Sequence, residues 1–144
     1  MRKTVQGLLL ILAISLSGTL VRAEEALSEA DRADIKDVIR AQIDAFRADD
    51  GERAFSYASP DIRRLFGDAT TFMSMVRSAY RPVYRPREFS FMVIEQVNGH
   101  WFQLVRLIGP DGRRVNALYD MELETNGTWR INGCYLVEAD DESV

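Results

Sequence analysis

Tyr119-Asp120-Met121-Glu122-Leu123-Glu124-Thr125-Asn126-Gly127-Thr128-Trp129-Arg130-Ile131-Asn132-Gly133-Cys134-Tyr135-Leu136-Val137 decides the fold of this chain. Tyr119, Met121 and Leu123 alternate with Asp120, Glu122 and Glu124, the period-two signature of a half-buried strand. Past the turn, Trp129, Ile131, Tyr135 and Val137 alternate with Arg130, Asn132, Cys134 and Leu136. A two-residue Asn-Gly turn would set Leu123 opposite Arg130 and mix the faces. A three-residue loop with Gly127 in the left-handed region pairs Leu123 with Trp129, Met121 with Ile131 and Glu122 with Arg130. One face is then apolar and the other carries an opposite-charge pair, so the second register is expected. It places Cys134 on the outer face as a small half-buried thiol. Asp120, Glu122 and Glu124 form a solvated charge ladder level with Asn132, Arg130 and Thr128.

Working outward, Glu88–Val97 and His100–Ile108 flank Asn98-Gly99, and Pro110-Asp111-Gly112 joins the second strand to Arg114–Glu124. These turn residues predict an antiparallel meander, with Phe91, Val93, Val105 and Leu107 in its middle. His100–Ile108 is apolar on both faces, so its back is expected to need cover.

Upstream the period changes to helical. Ser28-Glu29-Ala30-Asp31 opens a helix as a capping box with Asp in place of Glu, and Ile35, Val38, Ile39, Ile43 and Phe46 form its buried stripe. Asp49-Asp50-Gly51 stops it, and a short helical piece spans Glu52 to Ala58. Ser59-Pro60-Asp61 starts another helix that ends at Phe66-Gly67. Asp68 caps a third, with a stripe of Phe72, Met75, Val76, Ala79 and Tyr80. Pro82 is expected to end it and to leave Arg81–Pro86 extended.

The 144 residues allow one domain. Arg2 and Lys3 before the apolar run Leu8–Leu16, then Val21-Arg22-Ala23, predict a signal peptide over 1–23. The run is too short and too broken by Ser15, Ser17, Gly18 and Thr19 for a spanning helix. The expected product is one α+β domain over 24–138 with a loose acidic tail over 139–144, exported to a bacterial periplasm and free of the membrane after cleavage. Three of the 18 basic residues precede the cleavage point and all 22 acidic ones follow it, so the net charge falls from −4 to −7. An acidic domain without a basic groove-reading helix is not expected to bind nucleic acid. Cys134 is the only cysteine and His100 the only histidine, so neither an internal disulfide nor a His/Cys metal cluster can form. No cofactor is expected. His100 reads as an exposed turn residue, and Asn126-Gly127-Thr128 as a turn rather than a glycosylation site.

Helices first and a four-stranded meander after them make an α+β fold, with three N-terminal helices on a curved sheet. The element order, the Asp-Asp-Gly after the first helix and the closing Asn-Gly-Thr-Trp-Arg-Ile strand resemble the nuclear transport factor 2-like superfamily of cone-shaped domains. Ala54-Phe55, Ser59-Pro60-Asp61-Ile62, Phe66-Gly67, Val83-Tyr84-Arg85-Pro86 and Trp129-Arg130-Ile131-Asn132-Gly133-Cys134 resemble, more narrowly, a bacterial family known as domain of unknown function 4864. The resemblance covers about Asp34 to Leu136 and implies an architecture, with no activity attached.

In the superfamily the open end of the cone holds a pocket, and its members include isomerases, dehydratases and hydrolases beside binding and dimerising modules. Arg77, Tyr80, Arg81, Tyr84, Arg85 and Arg87 set four guanidiniums around two aromatics in an acidic chain. Tyr80, Arg81, Tyr84 and Arg85 could clamp an anionic group or anchor a protein partner. Otherwise the tyrosines close the cone edge and the arginines pair with surface acids. Tyr57, Asp61 and Arg64 are expected near the pocket mouth. The leading expectation is a binding or interaction domain, taking a small ligand in the cone or pairing as a homodimer through its sheet. The alternative is an enzyme with Asp61 or Tyr119 as acid or base.

Overall fold

A computed structural model describes residues 26–139; the expected signal peptide and Asp140–Val144 of the tail lie outside them. Helix α1, Glu29–Arg47, begins where expected: the Ser28 hydroxyl accepts the Asp31 N–H at 3.0 Å and donates to the Asp31 carboxylate at 2.6 Å. Ile35, Ile39, Ile43 and Phe46 are buried along one stripe, each contributing about 1.5–3 kcal/mol by leaving water. Asp49 turns the chain at φ 52°, and Asp50 caps α2, Gly51–Ser56. Helix α3, Pro60–Phe66, runs from its Ser59 cap to Gly67 at φ 83°, and α4, Ala69–Ala79, from its Asp68 cap.

Two expectations about this half need correction. Helix α4 buries Ala69, Phe72, Met73 and Val76, so Met73 takes a core place while Ala79 faces solvent and Met75 is half-buried. The stripe is tilted because α2 lies along its N-terminal half. Arg81–Tyr84 is not extended; it forms a helical turn, α5. Pro82 sits in its first turn, where the missing N–H would be unpaired in any case. The Tyr80 carbonyl accepts the Val83 and Tyr84 N–H groups, and burial of Val83 rewards the turn.

Strands β1 Glu88–Val97, β2 His100–Ile108, β3 Arg114–Leu123 and β4 Trp129–Glu138 form one antiparallel sheet in the order β1-β2-β3-β4. Asn98 and Gly99 both have positive φ, as a two-residue hairpin turn requires. The last hairpin has the expected register, with Leu123 opposite Trp129, Glu122 opposite Arg130 and Met121 opposite Ile131, around Gly127 at φ 83°. The helices pack on the face carrying Val105, Leu107, Ala117, Tyr119, Met121, Trp129 and Ile131. This is an α+β fold with its helices on one face of an antiparallel meander.

Two β-bulges reverse parities that the sequence pattern had assigned. In β1 the pairing moves from Phe91–Val105 to Ile94–Gln103, so Met92 and Val93 together oppose Leu104. Val93 is therefore 52% exposed instead of central, and Ile94 faces the core. Buried Gln103 holds the bulge, its Nε2 donating to the Met92 and Val93 carbonyls at 3.1 and 3.3 Å. In β4 the pairing moves from Met121–Ile131 to Asp120–Gly133, which makes Asn132 the extra residue. Beyond it Cys134, opposite Tyr119, and Leu136 face inward, while Tyr135 and Val137 turn outward. The reason lies elsewhere in the chain. The segment around Ala58 runs parallel beside β4, with the Ser59 N–H on the Ile131 carbonyl at 2.8 Å and the Ile131 N–H on the Tyr57 carbonyl at 2.9 Å. The Ser59 hydroxyl then donates to Asn132 Oδ1 at 2.7 Å and fixes the bulge.

The outer charge ladder also needs correction. Glu122 does face Arg130, but Asp120 is only 6% exposed, accepts the Asn132 amide at 3.3 Å, and lies 3.3 Å from His100 Nδ1. One oxygen each of Glu122 and Glu124 is likewise shielded from solvent and has no hydrogen-bond partner among the described residues. His100 is exposed at its hairpin, and it still reaches across the sheet to that carboxylate.

Candidate functional site

Between the helices and the inner sheet face lies a cavity of about 330 Å³, open at one side. Its wall is built by elements far apart in sequence: Gln42 and Phe46 from α1, Phe72, Met75 and Val76 from α4, Val83 from α5, Tyr119 from β3, and Ile131 to Tyr135 around the β4 bulge. Helix α3 forms one rim with Ile62, Leu65 and Phe66. That helix buries none of its residues, and Leu65 is 73% exposed. An apolar side chain so placed, beside an apolar opening, is what a ligand or partner would cover.

Among the described residues, no Asp, Glu, Lys, Arg or His side chain lines the cavity. Its polar groups are amide, hydroxyl and thiol. Gln42 Nε2 donates to the Ala54 carbonyl at 3.1 Å, and the Tyr80 hydroxyl donates to the Cys134 carbonyl at 3.0 Å. Asn132 is held between Ser59 and Asp120. Tyr119 is wholly buried, and less than 1 Å² of its hydroxyl oxygen is accessible. The Cys134 thiol is the polar group beside it, acting on the phenol electrostatically and as a hydrogen-bond partner of poor geometry. Burial pushes the Tyr119 phenol well above its ordinary value, with Cys134 adding to it. Burial pushes the Cys134 thiol up to about 12, against a smaller lowering by Tyr119. The Tyr80 phenol is raised too, chiefly by burial. All three groups are held protonated near neutral pH.

Of the residues singled out from sequence, Tyr80 lines this cavity; Tyr57, Asp61, Arg81, Tyr84 and Arg85 do not. Asp61 is exposed and paired with Arg64 one turn along α3. Tyr57 holds β4 through its backbone carbonyl. Arg81 faces solvent. Tyr84 and Arg85 belong to a fastening at the end of α1. The Asp49 carboxylate accepts from the Tyr84 hydroxyl and from Arg85 at 2.8 Å, with Arg77 at 3.7 Å. Arg85 also lies 3.9 Å over the Tyr84 ring and donates to the Phe46 carbonyl. Arg77 and Arg85 are thus engaged by the chain's own carboxylate, carbonyls and ring. Tyr84 holds the Asp49 carboxyl below the usual range, and Arg85 and Arg77 lower it further.

Sequence reasoning named Tyr119 only as an alternative acid or base and missed Gln42, Leu65 and Cys134. Ile62, Leu65 and Phe66 at three- and four-residue spacing on a short charged helix were the available signal. Nothing local marked Cys134, whose orientation depends on the bulge. Among the described residues no three His, Cys, Asp or Glu side chains converge to hold a metal, and no helix is long and apolar enough to cross a membrane.

The family described as "Domain of unknown function (DUF4864)" matches residues 28–144. No curated protein matches the chain. Among solved structures, an "NTF-2 like protein of unknown function" from Burkholderia xenovorans LB400 is 17% identical; the match covers 78% of this chain and 89% of that one, with a TM-score of 0.47.

Proposed function

We propose a binding role for this chain, which belongs to the family described as Domain of unknown function (DUF4864): it holds a small, largely apolar molecule in the cavity beneath α3. The observation that carries the reading is an open cavity between the helices and the inner sheet face, uncharged among the described residues, at the lower end of the roughly 300–1,000 Å³ range of ligand sites. Burial of apolar surface would supply most of the affinity, and α3 with Leu65 would close over the occupant. The Arg2-Lys3 start and the apolar run after it favour an exported protein that meets its ligand outside the cytoplasm, in the periplasm. The test is titration of the chain from Glu24 to Val144 with the neutral fluorophore N-phenyl-1-naphthylamine. Saturable one-to-one binding, weakened at least about tenfold by Ile62→Glu at the rim with the circular dichroism unchanged, is expected. Absence of saturable binding, or binding indifferent to Ile62→Glu, would overturn the reading.

The outer sheet face favours a second, compatible role in pairing. Leu104, Leu118 and Tyr135 align across β2, β3 and β4, with Tyr135 56% exposed and Val93 and Val137 beside them. Glu95, Arg106 and Arg114 surround this row on the same face, so two copies related by a two-fold axis could bury it with opposite charges meeting at the rim. Native mass spectrometry should then show a dimer that Tyr135→Asp converts to monomer. A wild-type monomer at about 100 μM, where even weak micromolar pairing would show, excludes this role.

A further inference from the structure

Resting on the binding role just proposed, we infer that the ligand is an uncharged molecule with a hydrogen-bond donor, a hydroxyl or N–H, at its inner end, and that Oε1 of Gln42 receives it. Gln42 lies on α1 among the buried residues Ile39, Ile43 and Phe46, and is itself only 4% exposed. An amide so placed needs its polar atoms met, because a buried polar group without a partner is costly. One side is met: Nε2 donates to the Ala54 carbonyl at 3.1 Å, which also fixes which end of the amide is nitrogen. The other side is not. Oε1 receives no hydrogen bond from the described residues, yet it is not sealed in as the Tyr119 hydroxyl and the Gln103 and Asn116 oxygens are. It keeps accessible surface, and Gln42 belongs to the cavity wall, so this acceptor opens on the cavity.

The rest of the wall narrows the class. Among the described residues it holds no charged side chain, so a carboxylate, phosphate or ammonium group entering it would lose its hydration without compensation. The Tyr80 hydroxyl gives its one proton to the Cys134 carbonyl, so toward a ligand it too can only accept. Asn132 is spanned by Ser59 and Asp120, and the enclosed Tyr119 hydroxyl is beyond a ligand's reach. A ketone or an ether brings apolar surface but no proton for Gln42. Gln42 is therefore a specificity-determining residue: it leaves the apolar contacts common to all ligands and discriminates by the donor.

The experiment compares 2-naphthol with naphthalene and with 2-methoxynaphthalene, which keeps the oxygen and loses the proton, and adds 2-naphthoate as a charged relative. Each is titrated by displacement of N-phenyl-1-naphthylamine from the wild type and from Gln42→Met, which keeps the length of the side chain without its amide. The wild type should bind the naphthol about tenfold tighter than either other neutral molecule, and Gln42→Met should bring the three within about twofold while keeping naphthalene's affinity. In the wild type the carbon-13 resonance of Gln42 Cδ should move downfield with 2-naphthol and stay with 2-methoxynaphthalene. A merely structural role for the amide would not produce that shift, and it decides the matter if Gln42→Met does not fold. Equal binding of the three neutral molecules by the wild type, or an unmoved Cδ, overturns the inference while leaving the binding role standing. A methyl ether that binds as tightly as the naphthol shows an acceptor to be read instead, and a preference that survives in Gln42→Met places the recognition elsewhere; either overturns it as well. Tighter binding of the carboxylate than of the naphthol overturns the uncharged class. If no neutral molecule displaces the fluorophore, or the fluorophore itself does not bind, the underlying role fails and the inference with it.

Discussion

Removing Trp129 should remove much of the domain's stability. Its ring is 4% exposed, sits opposite Leu123 in the last hairpin, and donates through Nε1 to Asp31 at 2.9 Å, joining β4 to the first turn of α1. A tryptophan buries about 200 Å², and at about 25 cal/mol per Å² that is about 5 kcal/mol, an upper bound because the unfolded chain hides part of it already. Partial collapse around the vacancy brings the expected cost of Trp129→Ala to about 3–5 kcal/mol. Trp129→Phe, which keeps an aromatic ring in the same place, should cost about 1–2 kcal/mol. Urea unfolding followed through the remaining Trp101 measures both; with a slope of about 2 kcal/mol/M the alanine variant's midpoint falls by about 2 M. A loss below about 1 kcal/mol for Trp129→Ala, at an unchanged slope, would refute the reasoning by showing that the hairpin-to-helix joint is peripheral.

Alkali should destabilise the fold early. Cys134 ionises near 9.0 when free and at about 12 in the folded chain, and Tyr119 is raised in the same sense. The folded state keeps protons that the unfolded state releases. Stability is therefore full below pH 9 and declines above it by up to about 1.4 kcal/mol per pH unit for each group. Urea midpoints between pH 8 and 11 test this, and Cys134→Ala should flatten the first part of the decline; an unchanged slope would show the thiol to be accessible. At the acid end, Asp31, Asp49 and Asp68 are each held below their ordinary 3.8, first by Ser28, Tyr84 and the Thr71 N–H respectively. Their contribution is present above that value and is lost as pH falls through their folded values, so Asp31→Asn should lessen the fall in thermal midpoint from pH 5 to pH 2. A parallel fall in wild type and variant would remove Asp31 from the account. Gln103→Leu should cost about 1–3 kcal/mol by stranding the Met92 and Val93 carbonyls, with faster amide exchange confined to β1 and β2. Exchange unchanged there would mean the bulge is held by something other than this amide.

The four strands, their turns and the starts of α1, α3 and α4 were legible in the chain because each is fixed by residues within a few positions of one another. Asn98-Gly99 and Gly127 supply positive φ where the hairpins need it, and Ser28, Ser59 and Asp68 each satisfy an N–H three residues on. The register of the last hairpin followed from the same local logic, because a slip by one residue would have placed Glu124 against Trp129. Tertiary structure decided what no local pattern encodes. Val93, Cys134, Tyr135 and Val137 fit either face of a strand, so their parity was settled by whatever satisfies a bulged backbone: Gln103 in β1, and Ser59 with Asn132 in β4. The turn at Arg81–Tyr84 formed because buried Val83 and the Asp49 fastening reward it, although the sequence before a proline disfavours it. The cavity is a gap left between α1, α3, α4 and the inner sheet, visible only once distant side chains have packed. Local chemistry sets the elements, while orientation and the site depend on contacts between residues tens of positions apart.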